Sequence, residues 1–214
     1  MPIPVFAINL MSRPDRKRHI LRQFYQKEEF DLNIVNAFHH FNGAFGLWKS
    51  ITHILQNLVN PENEYVIICE DDHQFTKEYN KDYLFKCIGE AKKNEADILS
   101  GGISSVTSII EVSPNLFWME KFTGLQFTIL FRNFFKSIVE ADFGNNDCAD
   151  LRIGELTQNK FFTQPFISIQ KDFGYSDATI KNNKPGIVKE FFDNSIKTIS
   201  MLKKVNRFYE ANNG

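Results

Sequence analysis

Cysteine is scarce in this chain. Three residues in 214 are cysteines, Cys69, Cys87 and Cys148, far apart and with no CxxC pair. So small and odd a count supports neither a disulfide framework nor a zinc ribbon, and it suits a reducing compartment. A surplus of positive charge is missing as well: 25 Lys and Arg stand against 26 Asp and Glu, a formal net charge of -1. A duplex-binding protein that lives on phosphate contacts normally shows a basic excess, so no nucleic-acid partner is expected. No apolar run approaches the roughly 20 residues that span a bilayer. The apolar opening MPIPVFAINL has its basic cluster behind it rather than in front, the wrong order for a secretory signal. Internal repeats and low-complexity linkers are also lacking. The expectation is a soluble, cytoplasmic protein.

What is present suffices for a packed core. The hydrophobic share is 43% and the charged share 24%, which excludes disorder as the general state. Phe is abundant, with 22 residues. The length suits one domain with a terminal extension, divided here as 1–184 and 185–214.

Strand and helix patterns alternate along the chain. IPVFAINL (3–10) reads as a buried strand. Ser12 and Asp15 have capping-box spacing, and Ile20, Leu21, Phe24 and Tyr25 follow at helical spacing. A second strand is expected at 33–38. A loop with Gly43 and Gly46 leads to a helix marked by Leu47, Ile51, Ile54, Leu55 and Leu58, stopped at Asn60-Pro61. YVIIC (65–69) is a strand buried on both faces. A helix at 83–91 precedes a strand at 97–100 closed by Gly101-Gly102. Strands follow at 109–112 and 125–131, the latter alternating through Leu125, Phe127, Ile129 and Phe131. Phe134 to Val139 suggest a helix, the acidic stretch 142–150 opens another that runs to 157, and 166–169 is a last strand. From Pro185 on, Val188, Phe191, Phe192, Ile196, Ile199, Leu202 and Val205 make an apolar stripe flanked by Lys189, Lys197, Lys203, Lys204 and Arg207, an amphipathic helix. It either packs on the domain or faces anionic membrane as a peripheral contact. The alternation predicts an α/β fold with a mainly parallel sheet flanked by helices.

The strongest chemical signal is VIICEDD. Glu70, Asp71 and Asp72 end a buried strand, where open α/β sheets bind ligands. Extended chain puts Glu70 and Asp72 on one side and Asp71 on the other. Three adjacent carboxylates repel unless a cation compensates, and hard oxygen ligands suit Mg or Mn ions that bridge to phosphates. The bland alternative is a solvated acidic turn. Arg13 and Arg16, after the first strand, offer guanidinium groups to phosphate oxygens or simply a solvated helix face. Gly43 to Ser50 (GAFGLWKS) nearly matches a P-loop, but Trp48 stands where a glycine must let phosphate approach, so that reading is rejected. Asp142, Asp147 and Asp150 offer a base for an acceptor hydroxyl, or helix caps. The histidines His19, His39, His40, His53 and His73 form no ligand-spaced motif; His73 adjoins the carboxylates.

Taken in order, these pieces resemble glycosyltransferase family 25, which includes bacterial lipooligosaccharide galactosyltransferases and collagen galactosyltransferases. The resemblance rests on VFAINLMSRPDRKRHI (5–20), Gly46 to Ser50, YVIICEDDHQF (65–75) and FTGLQFTILFRNFFKSIV (122–139), followed by the acidic segment and Pro165 to Ser176-Asp177. Departures are Ser50-Ile51 for the family's Ser-His, Leu47 for its Cys, and a shortened stretch before that helix. The resemblance implies a GT-A-type, Rossmann-like fold and a metal-dependent inverting transfer of a hexose, such as galactose, from a UDP-sugar to a surface glycan such as lipopolysaccharide. It further implies Asn9, Leu10, Arg13, Arg16 and Asp71 as donor-binding residues. Asp72 and Glu70 would be metal ligands for Mn or Mg, and Asp147 or Asp150 the catalytic base. The partners would be a nucleotide-sugar donor and a glycan or lipid-linked glycan acceptor. The departures keep a second expectation open, a non-catalytic GT-A-like protein that binds nucleotide or glycan.

Overall fold

A computed structural model describes residues 2–174 and 184–212; Ser176 and Asp177 lie outside the described residues. The elements in chain order are β1 (Ile3–Asn9), α1 (Pro14–Phe24), β2 (Phe30–Asn36), α2 (Gly43–Asn57), β3 (Tyr65–Glu70) and β4 (His73–Phe75). Then come α3 (Lys81–Lys93), β5 (Ile98–Ser100), β6 (Ser105–Val106), β7 (Ile109–Ser113), β8 (Leu116–Met119), β9 (Phe122–Thr123) and β10 (Phe127–Phe131). The chain ends with α4 (Arg132–Glu140), α5 (Ala149–Glu155), β11 (Lys160–Thr163), β12 (Ser168–Gln170) and α6 (Ile187–Asn212).

Among the described residues an eight-stranded sheet runs in the order β2-β1-β3-β10-β5-β11-β8-β7. β1 is parallel to β2 and β3, and β5 to β11. β10 runs against β3 and β5, and β8 against β11 and β7, so these two strands oppose the other six. The result is the α/β fold with a mainly parallel sheet that the alternation of patterns predicts.

Side-chain alternation along the central strands builds two cores, one on each face. Phe6, Ile8, Val66 and Ile68 point to one face and meet Trp48, Ile51 and Ile54 of α2, Phe134 and Ile138 of α4, and Val188, Phe192 and Ile199 of α6. Val5, Ala7, Ile67 and Cys69 point to the other and meet Ile20 and Phe24 of α1 and Leu84, Cys87 and Ile88 of α3. The two cores absorb much of the abundant Phe: Phe24, Phe30, Phe75 and Phe127 form one ring cluster around His73.

Several local expectations shift. No capping box forms; Arg13 is the N-cap of α1 with no side-chain cap bond, and Pro14, pre-set for the first helical position, starts the helix instead. β2 begins at Phe30, three residues early, because it pairs in register with β1 from Ile3 onward. The GAFGLWKS segment is the first turns of α2, capped by Asn42, whose Oδ1 accepts from Ala44 N at 3.1 Å and Phe45 N at 3.4 Å. β10 starts at Phe127, later than the expected 125, and is buried at every position rather than alternating, since it lies between β3 and β5 under helices on both faces. The strand expected at 166–169 is β12, which leaves the main sheet to pair with β4.

β8 and β11, which no pattern announced, fill the far half of the sheet. Gly102 lets β12 approach: a Cβ there would stand 2.0 Å from the Ser168 carbonyl oxygen. No described helix is long and apolar enough to cross a membrane.

Candidate functional site

Two parallel strands, β1 and β3, end side by side at the same edge of the sheet, with Ile8 opposite Glu70. The chain then does two different things. After β1 it turns into α1, whose first turn carries Arg16. After Glu70 it makes a two-residue turn, Asp71-Asp72, before β4. That turn replaces the extended geometry expected of Glu70, Asp71 and Asp72. The three carboxylates no longer alternate, and all line one cavity of about 710 Å³.

Each carboxylate has a different environment. Asp71 is fully engaged: Asn9 Nδ2 donates to its Oδ2 at 2.7 Å and Arg16 Nη1 to its Oδ1 at 2.9 Å. Asp72 is half-served. Arg16 Nη1 reaches its Oδ2 at 3.3 Å, while its Oδ1 is buried with no hydrogen-bond partner among the described residues. Burial pushes the Asp72 carboxyl up to about 7, partly offset by Arg16. Glu70 is pushed well above the usual carboxylate range by burial first, then by the neighbouring Asp72, Asp150 and Asp71. The cluster thus carries more acid than the Arg16 guanidinium neutralises.

The cluster is clamped from behind. His19, one turn beyond Arg16 on α1, hydrogen-bonds through Nε2 to the His73 carbonyl oxygen at 2.7 Å. His73 is fully buried, bonded through Nδ1 to Ser168 Oγ at 2.8 Å, and burial holds it well below the usual histidine range. It supports the turn from inside and does not line this cavity. Lys171 N donates to the Asp72 carbonyl oxygen at 2.7 Å, and the Phe173 ring lies 4.8 Å from the Arg16 guanidinium carbon.

The opposite wall comes from α5 and the turn before β10. Asp150 lines the cavity; its Oδ2 accepts from Gly124 N at 3.0 Å and its Oδ1 from Leu151 N at 2.8 Å. Burial raises its carboxyl above the usual range. Gly124 has a φ of +106°, and a Cβ there would press within 2.8 Å of Gln126 Oε1. Asp147 is not part of the wall. It closes its own turn, accepting from Gly144 N at 2.7 Å.

The remaining candidates divide. Leu10 lines the cavity. Asn9 is buried beneath it and also donates to the Arg13 carbonyl oxygen at 3.2 Å. Arg13, at the start of α1, is not in the cavity wall. Ser50, which stands at the Ser-His position of the resemblance, is structural: it accepts from Phe38 N at 2.9 Å and donates to the Gly46 carbonyl oxygen at 2.8 Å. This fixes the loop after β2 against α2 and presents Phe38, His39, His40 and Phe41 to the cavity. Neither that aromatic lip nor Lys171 and Phe173 carried any signal in the sequence, because folding alone brings them beside the acidic turn.

No group of three or more His, Cys, Asp or Glu side chains among the described residues is arranged to hold a metal by itself. The donor set does fit a Mg or Mn ion of the kind that takes one or two carboxylates and completes its shell with substrate phosphate and water. Among the described residues the orphaned Asp72 Oδ1 and the acid-crowded Glu70 are the donors that would hold it.

No family model matches the chain, and no curated protein matches it in sequence. Among solved structures, A197 from STIV is similar at a TM-score of 0.55 and 16% identity, over 83% of this chain and 87% of that one. UDP-glucose pyrophosphorylase complexed with UDP-glucose has a TM-score of 0.49 and 12% identity, over 84% and 79%. The apo form of UDP-glucose pyrophosphorylase has 0.46 and 12%, over 91% and 82%. The likeness to A197 is one of fold alone.

Proposed function

We propose that this chain is a metal-dependent, inverting glycosyltransferase that moves a hexose from a UDP-sugar to a surface glycan such as lipopolysaccharide. The observation that carries the reading is the acidic turn Glu70-Asp71-Asp72. It sits at the carboxyl end of central strand β3, opening with Arg16 into a 710 Å³ cavity that Asp150 closes on the far side. The resemblance to glycosyltransferase family 25 adds the reaction class.

In this reading Asp72 and Glu70 hold Mn or Mg. When bound, the ion neutralises charge on the departing diphosphate. Arg16 binds phosphate oxygens, and Leu10 borders the nucleoside. Inversion by single displacement needs a base on the acceptor side. Asp150 is the candidate that faces the cavity, and its raised carboxyl range suits taking a proton from an acceptor hydroxyl. As that bond to the sugar carbon forms, the bond to the diphosphate oxygen breaks and the electron pair leaves with UDP. The outer face of α6, where Met201 and Val205 are exposed beside Lys197 and Lys204, would rest on anionic membrane near lipid-linked acceptors.

Thermal melting with nucleoside diphosphates, with and without Mn, tests the donor site, since a ligand of the folded state raises the melting temperature. A UDP shift that requires Mn and vanishes in Asp72→Ala supports the reading; no shift with any nucleoside diphosphate overturns it. One observation favours a non-catalytic binding protein: both Asp150 oxygens already accept backbone N–H groups. Donor hydrolysis discriminates, because a transferase slowly passes its sugar to water and a binding protein does not.

A further inference from the structure

The acidic turn already has a cation. Arg16 is nearly buried, and its single Nη1 bridges Asp71 Oδ1 at 2.9 Å and Asp72 Oδ2 at 3.3 Å. The two contacts differ in kind. Asp71 is also held by Asn9 and is fixed, whereas the longer contact, to Asp72, is the weaker one. Asp72 is also the carboxylate with an oxygen left over. A divalent ion taking Asp72 would stand next to the guanidinium, and like charges so close repel in a buried site. Phe173 lies against the guanidinium, while α1 is pinned by His19, so Arg16 has a direction in which to yield: the cavity that it lines. A diphosphate there is a better partner for a planar fork of donors than the outer oxygen of Asp72.

We propose that Arg16 is a tethered counter-cation that holds Asp72 until a diphosphate draws it away. Metal and nucleotide then enter the site together rather than metal first. This rests on the metal reading above and adds an order to it. Without nucleotide, Arg16 competes with the ion for Asp72. With nucleotide, the guanidinium moves to phosphate and Asp72 is released to hold the ion. The linkage is reciprocal, so Mn must tighten UDP by the same factor as UDP tightens Mn.

The test titrates Mn into the full chain with and without UDP and reads the free ion by electron paramagnetic resonance, for the wild type, Arg16→Met and Arg16→Lys. UDP is expected to tighten Mn on the wild type by about tenfold or more. Arg16→Met, checked by melting for an intact fold, is expected to bind Mn alone about tenfold tighter than the wild type and to lose the part of the coupling that Arg16 supplies. Arg16→Lys, which keeps the charge, stays near the wild type for Mn alone. Arg16→Met binding Mn no tighter than the wild type overturns the proposal. If Arg16→Met does not fold, wild-type coupling decides, and Mn affinity indifferent to UDP overturns it equally. Mn binding to none of the three, at any UDP concentration, refutes the metal reading itself and this inference with it.

Discussion

Asn9 and Asp71 are 62 residues apart in the chain and 2.7 Å apart in the fold, Nδ2 to Oδ2. This one bond ties the end of β1 to the turn after β3. It is also why Asp71 is a structural carboxylate while its neighbours are chemical ones. Asn9 is almost fully buried, so its amide has no water to fall back on.

Asn9→Leu is therefore expected to destabilise the protein by about 1–3 kcal/mol, the cost of leaving the buried Asp71 Oδ2 without its donor, while the Arg13 carbonyl oxygen keeps the Lys17 N–H. Denaturant unfolding measures it. UDP affinity should fall in the same variant, because Arg16 loses the fixed partner that aims it.

Asp72 should make stability depend on pH in an unusual direction. Its folded carboxyl titrates near 7 against an ordinary 3.8, so between those values the folded state holds a proton that the unfolded state has lost. Stability should fall as pH rises from about 4 to 7. Asp72→Asn should reduce that slope, Glu70 and Asp150 keeping the rest of it, and raise stability at pH 8 by about 1–4 kcal/mol, while removing the Mn-dependent UDP shift. Melting in chelator from pH 4 to 8 checks both; an unchanged slope would refute the assignment.

Asp150 and Asp147 should separate cleanly. Asp150→Asn should lower transfer about 10²–10⁴-fold with UDP binding nearly unchanged, the ordinary cost of losing a general base. Asp147→Ala loosens a turn outside the cavity and should leave the rate within about threefold of the wild type. Steady-state transfer and UDP titration on both variants distinguish them.

Lys160 supports Asp150 from a distance. Its Nζ is buried and donates at 2.6 Å to the carbonyl oxygens of Gly154 and Thr157, closing the end of α5, the helix that carries Asp150. Lys160→Met should cost about 2–4 kcal/mol by leaving two buried carbonyls unpaired, and the melting curve reads it.

The outer face of α6 should bind vesicles containing anionic lipid at low salt and not neutral ones. Met201→Ser with Val205→Ser should weaken flotation with such vesicles severalfold. Absence of flotation by the wild type removes the membrane contact.

The sequence by itself determined the layers. YVIIC is apolar at every position, so it had to be a central strand, and the helical stripes on either side had to cover it. The acidic triplet at its end was legible as a site for the same reason: that strand end faces the crevice. What local pattern could not carry was everything set by long-range pairing. Phe30 joins β2 because Ile3 lies opposite, and Lys160–Thr163 becomes a strand because β5 and β8 leave a gap for it.

The site divides along the same line. Residue types at 70–72 were readable, but their roles were not. A two-residue turn brings all three carboxylates to one cavity, and Asn9 and Arg16 then choose Asp71 as the fixed one. Asp150, not Asp147, reaches that cavity because α5 packs against β9 and hands its carboxylate to Gly124. A side chain's charge is a local property, whereas its partner, its burial and hence its proton affinity belong to whichever distant segment the fold lays beside it.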